Sequence, residues 1–370
     1  MTHSLKPVIL LPNVLFILSI LILSSLILAQ ELIENPEKPN NKNAGRVLQL
    51  KEELRITDES GDFFFKAPWE IKIGVNGFIF VREKDKLYKF DRGGKFLKNI
   101  LKSGEGPGEI TEFASFDLTE GEIILFCSMR NKIVKTDMDG NLIKDLKLGE
   151  RRFSRLLSYY GKKYFMVDSE WKSLERTSGI KELNHSLFVV NEEGEISSTP
   201  YSFPTKQAMR VRIRKGRGST SISPITRIKT ARASPKHLYT AHTQDYLIKL
   251  LDLDKSQITK TFGRKYAKVK RESLELIEFL MTEFCSDAQN LVIYKDNLWV
   301  LTSTYDKEKG ILVDVFNREG KYLDNFYLPL FKIKRENLGA WPITVDSDFL
   351  FVLEINEDET LAVVKYKIVE

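Results

Sequence analysis

The chain has 370 residues, of which 42% are hydrophobic and 29% are charged, and it contains only two cysteines. This apolar content excludes an intrinsically disordered chain, and two cysteines exclude a disulfide-stapled scaffold. The formal net charge of +6 comes from 57 Lys and Arg against 51 Asp and Glu, and its excess is local, as described below. Only one segment is continuously apolar, which allows one membrane span at most.

The first thirty residues have the pattern of an export signal. Lys6 precedes an uncharged apolar run from Val14 to Ala29, and this order is typical of a secretory signal peptide. Two alternatives stay open: a signal that is cleaved, or an uncleaved anchor in which residues 8–29 associate with the membrane. Both predict that the remainder of the protein is secreted, periplasmic or held at the membrane outside the cytoplasm.

A polar segment follows the apolar one. Residues 31–45 are rich in Asn and Pro and contain few apolar side chains, which predicts a flexible linker. We therefore divide the chain into a signal peptide or anchor (1–30), a linker (31–45) and one folded domain (46–370).

The folded domain repeats a single unit. Phe78–Phe96 aligns without a gap on Ile124–Leu142, and later copies keep the same Asp/Asn-x-x-Gly turn between two alternating strands. This combination is a β-hairpin signal, because the turn needs a positive φ at its glycine. The turn glycines are Gly94, Gly140, Gly194 and Gly320, and Lys255 takes the place of glycine in a weaker copy.

Each unit contains four short strands and averages roughly 54 residues, a length at the upper end of propeller blades. Six such units fit the domain, and stacking around an axis buries the faces that one blade leaves open. The last unit lacks its fourth strand, and Val47–Ile56 is a strand-like segment without a unit. We predict an all-β fold, a six-bladed β-propeller closed by this N-terminal strand. Glu272–Phe284 has apolar residues at helical spacing, which predicts one short helical insertion.

One loop carries a family resemblance. A G-x-G-P-G-E sequence lies between the first two units, and Phe65–Leu148 around it resembles uncharacterised bacterial six-bladed β-propeller proteins related to NHL-repeat propellers. The resemblance implies a secreted or envelope-bound propeller and carries over no catalytic residue. Because no helix follows and two glutamates would repel an anion, we interpret the loop as a tight connection between blades rather than a phosphate cradle. Its residues are Gly104, Glu105, Gly106, Pro107, Gly108 and Glu109.

The basic excess lies in one segment. Ser197–Gln244 contains ten Lys and Arg and no Asp or Glu, and it falls between the third and fourth units. Alternation of arginines with Val211 and Ile213 places the arginines on one face of a strand, where they could bind an envelope polyanion; nucleic acid is not expected. A solvated loop is the alternative. The candidate binding residues are Arg210, Arg212, Arg214, Lys215 and Arg217.

Tryptophans supply a further candidate. Trp171 lies in a long charged connection and is the aromatic side chain expected to be exposed, as suits sugar or peptide binding. Trp69 and Trp299 are expected in the core.

Metal-binding and thiol chemistry find little support. His237 and His242 lie at the two ends of a predicted strand, and a spacing of five places them on opposite faces, so they form no metal pair. Cys127 aligns with a buried strand position, and a bridge to Cys285 would join blades that are not neighbours.

These observations favour an exported, non-enzymatic binding or interaction propeller whose ligand is a glycan, a peptide or an envelope polyanion. One alternative is a metal-dependent hydrolase of the lactonase type, with carboxylates converging from the loops after the second strands. Another is a membrane-anchored sensor or scaffold. We name no catalytic residue, metal ligand or cofactor. The acidic residues considered for the hydrolase are Glu83, Asp85, Asp168, Glu170 and Asp306.

Overall fold

The computed structural model describes residues 32–58, 61–170, 175, 177–214, 217–333 and 341–369, with residues 212–214, 217 and 218 described by their backbone only. These residues form sheets and one short helix. The predicted signal or anchor over residues 1–30 lies outside the described residues. Among the residues that are described, no helix is both long enough and apolar enough to cross a membrane.

Three strands precede the first blade, and the first three blades then follow in chain order. Within each blade the neighbouring strands are antiparallel. The strands to this point are β1 (Leu32–Asn35), β2 (Arg46–Val47) and β3 (Gln49–Ile56); β4 (Pro68–Ile73), β5 (Ile79–Glu83), β6 (Lys86–Phe90) and β7 (Phe96–Asn99) in blade 1; β8 (Lys102–Ser103) and β9 (Glu109–Ile110) between blades; β10 (Phe113–Leu118), β11 (Glu122–Cys127), β12 (Lys132–Asp137) and β13 (Leu142–Lys147) in blade 2; and β14 (Arg155–Tyr160), β15 (Lys163–Ser169), β16 (Gly179–Leu183), β17 (His185–Asn191) and β18 (Ile196–Ser202), of which all but β16 form blade 3.

An insertion separates blades 3 and 4. Two long strands of this insertion form a hairpin, and β16 adds to it as a third strand. The remaining elements are β19 (Thr205–Arg214) and β20 (Arg217–Pro224) of the hairpin; β21 (Lys229–Ser234), β22 (His237–Ala241), β23 (Ile248–Asp252) and β24 (Gln257–Arg264) in blade 4; α1 (Leu274–Leu280); β25 (Ala288–Tyr294), β26 (Asn297–Asp306), β27 (Gly310–Phe316) and β28 (Tyr322–Leu328) in blade 5; and β29 (Ile343–Asp346), β30 (Phe349–Ile355) and β31 (Leu361–Val369) in blade 6.

The N-terminal strand completes the last blade. β3 pairs antiparallel with β31, so that blade 6 has the order β29-β30-β31-β3. This confirms the prediction made for Val47–Ile56, with the strand itself beginning at Gln49. The predicted six-bladed, nearly all-β fold is confirmed as well.

The preceding segment is bound to the domain rather than free. The sequence predicted a flexible linker over 31–45, but β1 adds in parallel to the outer edge of blade 4 and β2 to that of blade 5. Asn35 fixes this path, because its buried amide donates to the carbonyls of Gly263 and Gly320 at 2.9 Å and accepts from the Tyr322 N–H at 2.8 Å. Backbone pairing to two exposed sheet edges replaces the apolar contacts that the segment lacks.

The core is divided among the interfaces between blades. The middle strands are buried on both faces, as in β11, where Ile123 to Cys127 are all buried. Both faces are apolar because each blade packs between two neighbours, whereas the outer strand β7 alternates between half-buried and exposed residues. Cys127 fills such a position as predicted, and both cysteines are thiols.

The hairpin turns follow the predicted register. Gly94 and Gly140 have φ near +82° and +83°, and the equivalent glycines of blades 3 and 5 also have positive φ. In blade 4 the positive φ falls on Ser256 and not on Lys255, because the turn there is one residue longer.

Two further predictions need correction. The helix is shorter than Glu272–Phe284: Ser273 caps its first turn, and Met281 ends it in the left-handed conformation. Trp69 is 57% exposed, whereas Trp299 is buried as expected. Trp69 is the second residue of β4 and lies where the register with β5 shifts between Pro68 and Glu70, which explains why it does not pack in the core.

Candidate functional site

The two faces of the propeller differ in their connections. We call the face at which the first strand of each blade begins the upper face. Strands alternate in direction, so the connections between blades and those from second to third strands all lie there. The β19–β20 hairpin and α1 are connections between blades, and β16 lies between the second and third strands of blade 3. The inserted elements therefore all belong to the upper face, as expected of a binding face.

A channel runs through the middle of the ring. Its cavity of about 810 Å³ is lined by residues from the first strand of every blade, a size within the ordinary range for ligand sites. Among the described residues that line it, six side chains are basic and three are acidic, namely Glu70, Asp117 and Asp346. The basic residues are Lys72, Arg82, Arg155, Arg227, Lys229 and Arg232.

The lower end of the channel holds an internally satisfied ion network. The carboxylate of Asp117 contacts Lys72 at 3.3 Å, accepts from Arg232, and accepts from the Tyr159 N–H at 2.8 Å. Burial disfavours ionisation of Asp117, but the cations of Lys72 and Arg232 outweigh that effect and hold its pKa below the usual value. None of these three residues therefore has an unpaired charge that could bind a ligand.

The upper end holds arginines without such compensation. Arg155 donates to the Ile228 carbonyl at 3.0 Å, and neither Arg155 nor Arg227 forms an ion pair with any residue the structure describes. Arg227 is exposed at the channel mouth; desolvation by the surrounding protein lowers the pKa of its guanidinium group, and the charge of Arg155 lowers it further. The two guanidinium groups therefore repel each other at the channel mouth, and a bound anion would reduce this repulsion.

A third arginine lies beside an exposed aromatic ring. Arg82 stacks 5.6 Å from the centroid of Trp69 and donates to the Phe113 carbonyl at 3.0 Å. Its Nε is buried and has no hydrogen-bond partner among the described residues, and its Nη1 forms a long ion pair with the Glu70 carboxylate at 3.9 Å. Burial lowers the pKa of Arg82, the charge of Glu70 partly opposes that effect, and the charge of Arg155 adds to it. Arg82, Arg155 and Arg227 together are called the arginine cluster below.

His185 contributes to the same wall as a neutral group. Its ring nitrogens contact Ser169 at 2.8 Å and Thr205 at 2.7 Å. Burial lowers the pKa of His185 to about 4, so it adds no charge at neutral pH.

The predicted basic patch lies on the inserted hairpin. Arg210 is on β19, with its guanidinium 5.6 Å from the ring centroid of Phe279 in α1. Arg212 and Arg214 follow at alternate positions of β19, and Arg217 begins β20; their side chains are not described. Lys215 and Trp171 lie outside the described residues. The hairpin belongs to the upper face, but Arg210 does not line the channel.

The glycine-rich loop is engaged by the protein itself. Its flanks, β8 and β9, pair in parallel. The Gly106 N–H donates to the Glu109 carboxylate at 2.9 Å, and the Gly108 N–H donates to Asp145 at 2.7 Å. Protein carboxylates therefore take the backbone donors that a phosphate would need, in agreement with a connection between blades.

The carboxylates considered for a hydrolase do not converge. Glu83 accepts from the backbone N–H groups of Lys66 and Ala67, Asp168 pairs with Arg151 at 2.9 Å, and Asp306 accepts from N–H groups of its own turn. Within the described ranges no group of three or more His, Cys, Asp or Glu residues is arranged to hold a metal ion.

Sequence reasoning missed the arginine cluster and Trp69. Arg227 was counted in the basic segment but not distinguished from the hairpin arginines. A usable signal was present for Arg155, which precedes a largely apolar run at the beginning of a blade's first strand; Arg227 has no such signal, because Lys229, Thr230 and Arg232 follow it.

The fold and channel define a six-bladed β-propeller with a cationic upper mouth. The chain belongs to the DUF5128 family of 6-bladed beta-propellers, whose model matches residues 58–344. No curated protein matches it in sequence. Kinship with NHL-repeat propellers stays a prediction.

Solved structures that share the fold include two from Bacteroides species. One, from Bacteroides fragilis and described as an exported protein, has a TM-score of 0.56 at 13% identity, covering 92% of this chain and 100% of its own. The other, a member of the DUF4221 family from Bacteroides vulgatus, has a TM-score of 0.55 at 11% identity, covering 88% of this chain and 99% of its own. At these identities the likeness concerns the fold alone.

Proposed function

We propose that this protein is a non-enzymatic binding propeller outside the cytoplasm, and that it binds the anionic group of its ligand at the upper mouth of the channel. The observation that carries the proposal is the arginine cluster, in which Arg155 and Arg227 face the cavity without a carboxylate partner. A carboxylate, phosphate or sulfate group accepts charge-assisted hydrogen bonds from such a cluster. Trp69 supplies an adjacent surface for an apolar or sugar ring.

Location outside the cytoplasm rests on the sequence. The apolar run Val14–Ala29 behind Lys6 has the form of an export signal. The Bacteroides fragilis neighbour that shares the fold is described as exported, which agrees with this location. A cleaved signal and a retained anchor both satisfy the proposal.

Calorimetric titration with citrate, a multivalent anion, tests the binding site. We expect wild-type protein to bind citrate, with an affinity that falls as NaCl is raised. Because two charge-assisted contacts are lost, Arg155→Gln/Arg227→Gln should weaken binding about tenfold or more. The matched control Arg92→Gln/Lys95→Gln removes two exposed charges from a turn on the opposite face and should leave citrate binding unchanged.

The same titration separates this site from the inserted hairpin. Arg210→Glu/Arg212→Glu/Arg214→Glu should have a much smaller effect than the channel pair, because Arg210 does not line the channel. The proposal is contradicted if the hairpin variant alone abolishes citrate binding, or if wild-type protein binds uncharged maltotriose but no citrate.

A further inference from the structure

A second cavity adjoins the channel on the upper face. It has a volume of about 340 Å³ and lies between α1, the base of the β19–β20 hairpin and the upper ends of blades 4 and 5. Arg227 and Lys229 line both this cavity and the channel. Pro224 also lines both, so the two spaces adjoin beside these two cations and one ligand can extend through both.

One wall of the second cavity is apolar. Leu276 and Leu280 of α1 pack with Ile225 in a small cluster of their own, and Phe279 lies on the same helix beside them. Ile311 of β27 and Ile333, which follows blade 5 in the chain, complete this apolar lining. A cavity of this size with an apolar wall accepts a short alkyl chain or a single ring.

The opposite wall is cationic. Lys229 is buried and donates to the Ala288 carbonyl at 2.5 Å. The carboxylate whose charge acts on Lys229 is that of Asp287, and this carboxylate is already paired with Lys268 at 3.0 Å. The Nε of Arg271 is buried and has no hydrogen-bond partner within the part of the chain that the structure describes. Among the described residues of the lining, Arg227, Lys229, Lys270 and Arg271 face a single acidic residue, Glu272.

We infer that the ligand is an amphiphilic anion whose charged head lies between Arg227 and Lys229 and whose apolar part enters the cavity beneath α1. This inference rests on the proposed function and adds the chemical class of the ligand. The head satisfies two cations that form no ion pair with a described residue, and the apolar part packs against the lining formed by Leu276 and Leu280.

Titration of the purified full-length protein with acetate, butanoate, hexanoate and octanoate tests this class of ligand. Each methylene that leaves water for an apolar cavity should lower Kd about fourfold, so affinity should rise steeply from butanoate to octanoate. 1-Octanol, which has the chain but not the charge, should bind at least tenfold more weakly than octanoate.

Two leucines of α1 provide a matched pair of variants. Leu276 lines the cavity, whereas Leu274 is 70% exposed on the same helix and outside the lining. Leu276→Gln should abolish the dependence on chain length and leave citrate binding intact, and Leu274→Gln should change neither. Thermal unfolding of both variants verifies that they are folded, and the wild-type chain-length series needs no variant at all.

The outcomes separate the two proposals. Citrate binding without any gain from butanoate to octanoate overturns the amphiphile and leaves the anion site standing. Octanoate binding that is equally strong in Arg155→Gln/Arg227→Gln also overturns the amphiphile, because the head would then lie elsewhere. Absence of both citrate and octanoate binding overturns the anion site itself.

Discussion

Lys229 is the residue of the candidate site whose burial most clearly lowers the stability of the folded protein. Its ammonium group is buried, and burial together with the charge of Arg227 lowers its pKa to about 8, against a partial opposing effect of Asp287. A cation in such a place destabilises the empty protein. A bound anion would offset this loss of stability, which gives a buried lysine at this position a physical reason.

This loss of stability should appear as a pH dependence. Between pH 8 and the ordinary lysine pKa of 10.5, the unfolded chain binds a proton that the native protein has lost, so the stability of the wild type rises with pH there. Lys229→Met removes the titration. The difference in unfolding free energy, wild type minus variant, should therefore increase by about 2 kcal/mol from pH 7 to pH 10 in urea titrations. A difference that does not change with pH would show that Lys229 is not desolvated.

The same residues mark a limit of sequence reasoning. Ile225–Ala231 has the composition of a strand in the sequence, but β21 begins only at Lys229. Arg227 and Lys229 thereby move from the middle of a strand to the channel mouth. Ten basic residues in one segment indicated an anionic partner, yet only the blade geometry distinguishes the channel residues from those of the hairpin.

At the scale of an element, the turns explain why the repeat was detectable. Gly320 has φ of +80°, and a Cβ placed there would approach the ring of Phe262 within 2.8 Å. Both constraints fix glycine at this position, and similar demands keep glycine at the equivalent turns. The signal is therefore strong where turn chemistry is local, and it fades at Ser256 because the longer turn shifts the residue with positive φ.

Turn substitutions should act in opposite directions. Gly320→Ala should lower the unfolding free energy by about 1–3 kcal/mol, through the positive φ and the overlap with Phe262. Glu359 has φ of +64° in an exposed turn of blade 6, so Glu359→Gly should raise it by about 0.5 kcal/mol. Urea denaturation measures both, and stabilisation by Gly320→Ala would refute the turn assignment.

At the scale of the whole molecule, the N-terminal segment joins three consecutive blades. It pairs with the outer edges of blades 4 and 5 and then supplies the fourth strand of blade 6. The blade count and the closing strand followed from the repeat, because a unit without a fourth strand needs one from elsewhere. The edge strands β1 and β2 did not, because backbone pairing to an edge leaves no hydrophobic pattern in the sequence.

Asn35 is the residue on which this path depends. Asn35→Ala would leave two carbonyls and one N–H without their buried partner, so it should lower the unfolding free energy by about 2 kcal/mol or more. Hydrogen exchange should then show faster exchange in β1 and the adjoining strand β24. Asn40→Ala, at an exposed position of the same segment, is the matched control, and equal effects of the two variants would contradict the assignment.

The most direct test of the anion site is a crystal structure of the protein grown with selenate, whose selenium can be located by anomalous scattering. We expect a selenate ion at the upper mouth of the channel, within hydrogen-bond distance of the guanidinium groups of Arg155 and Arg227, and absent from crystals of Arg155→Gln/Arg227→Gln. Selenate bound only to the inserted hairpin, or to the Lys72–Asp117–Arg232 network at the lower end, would contradict a binding site at the arginine cluster.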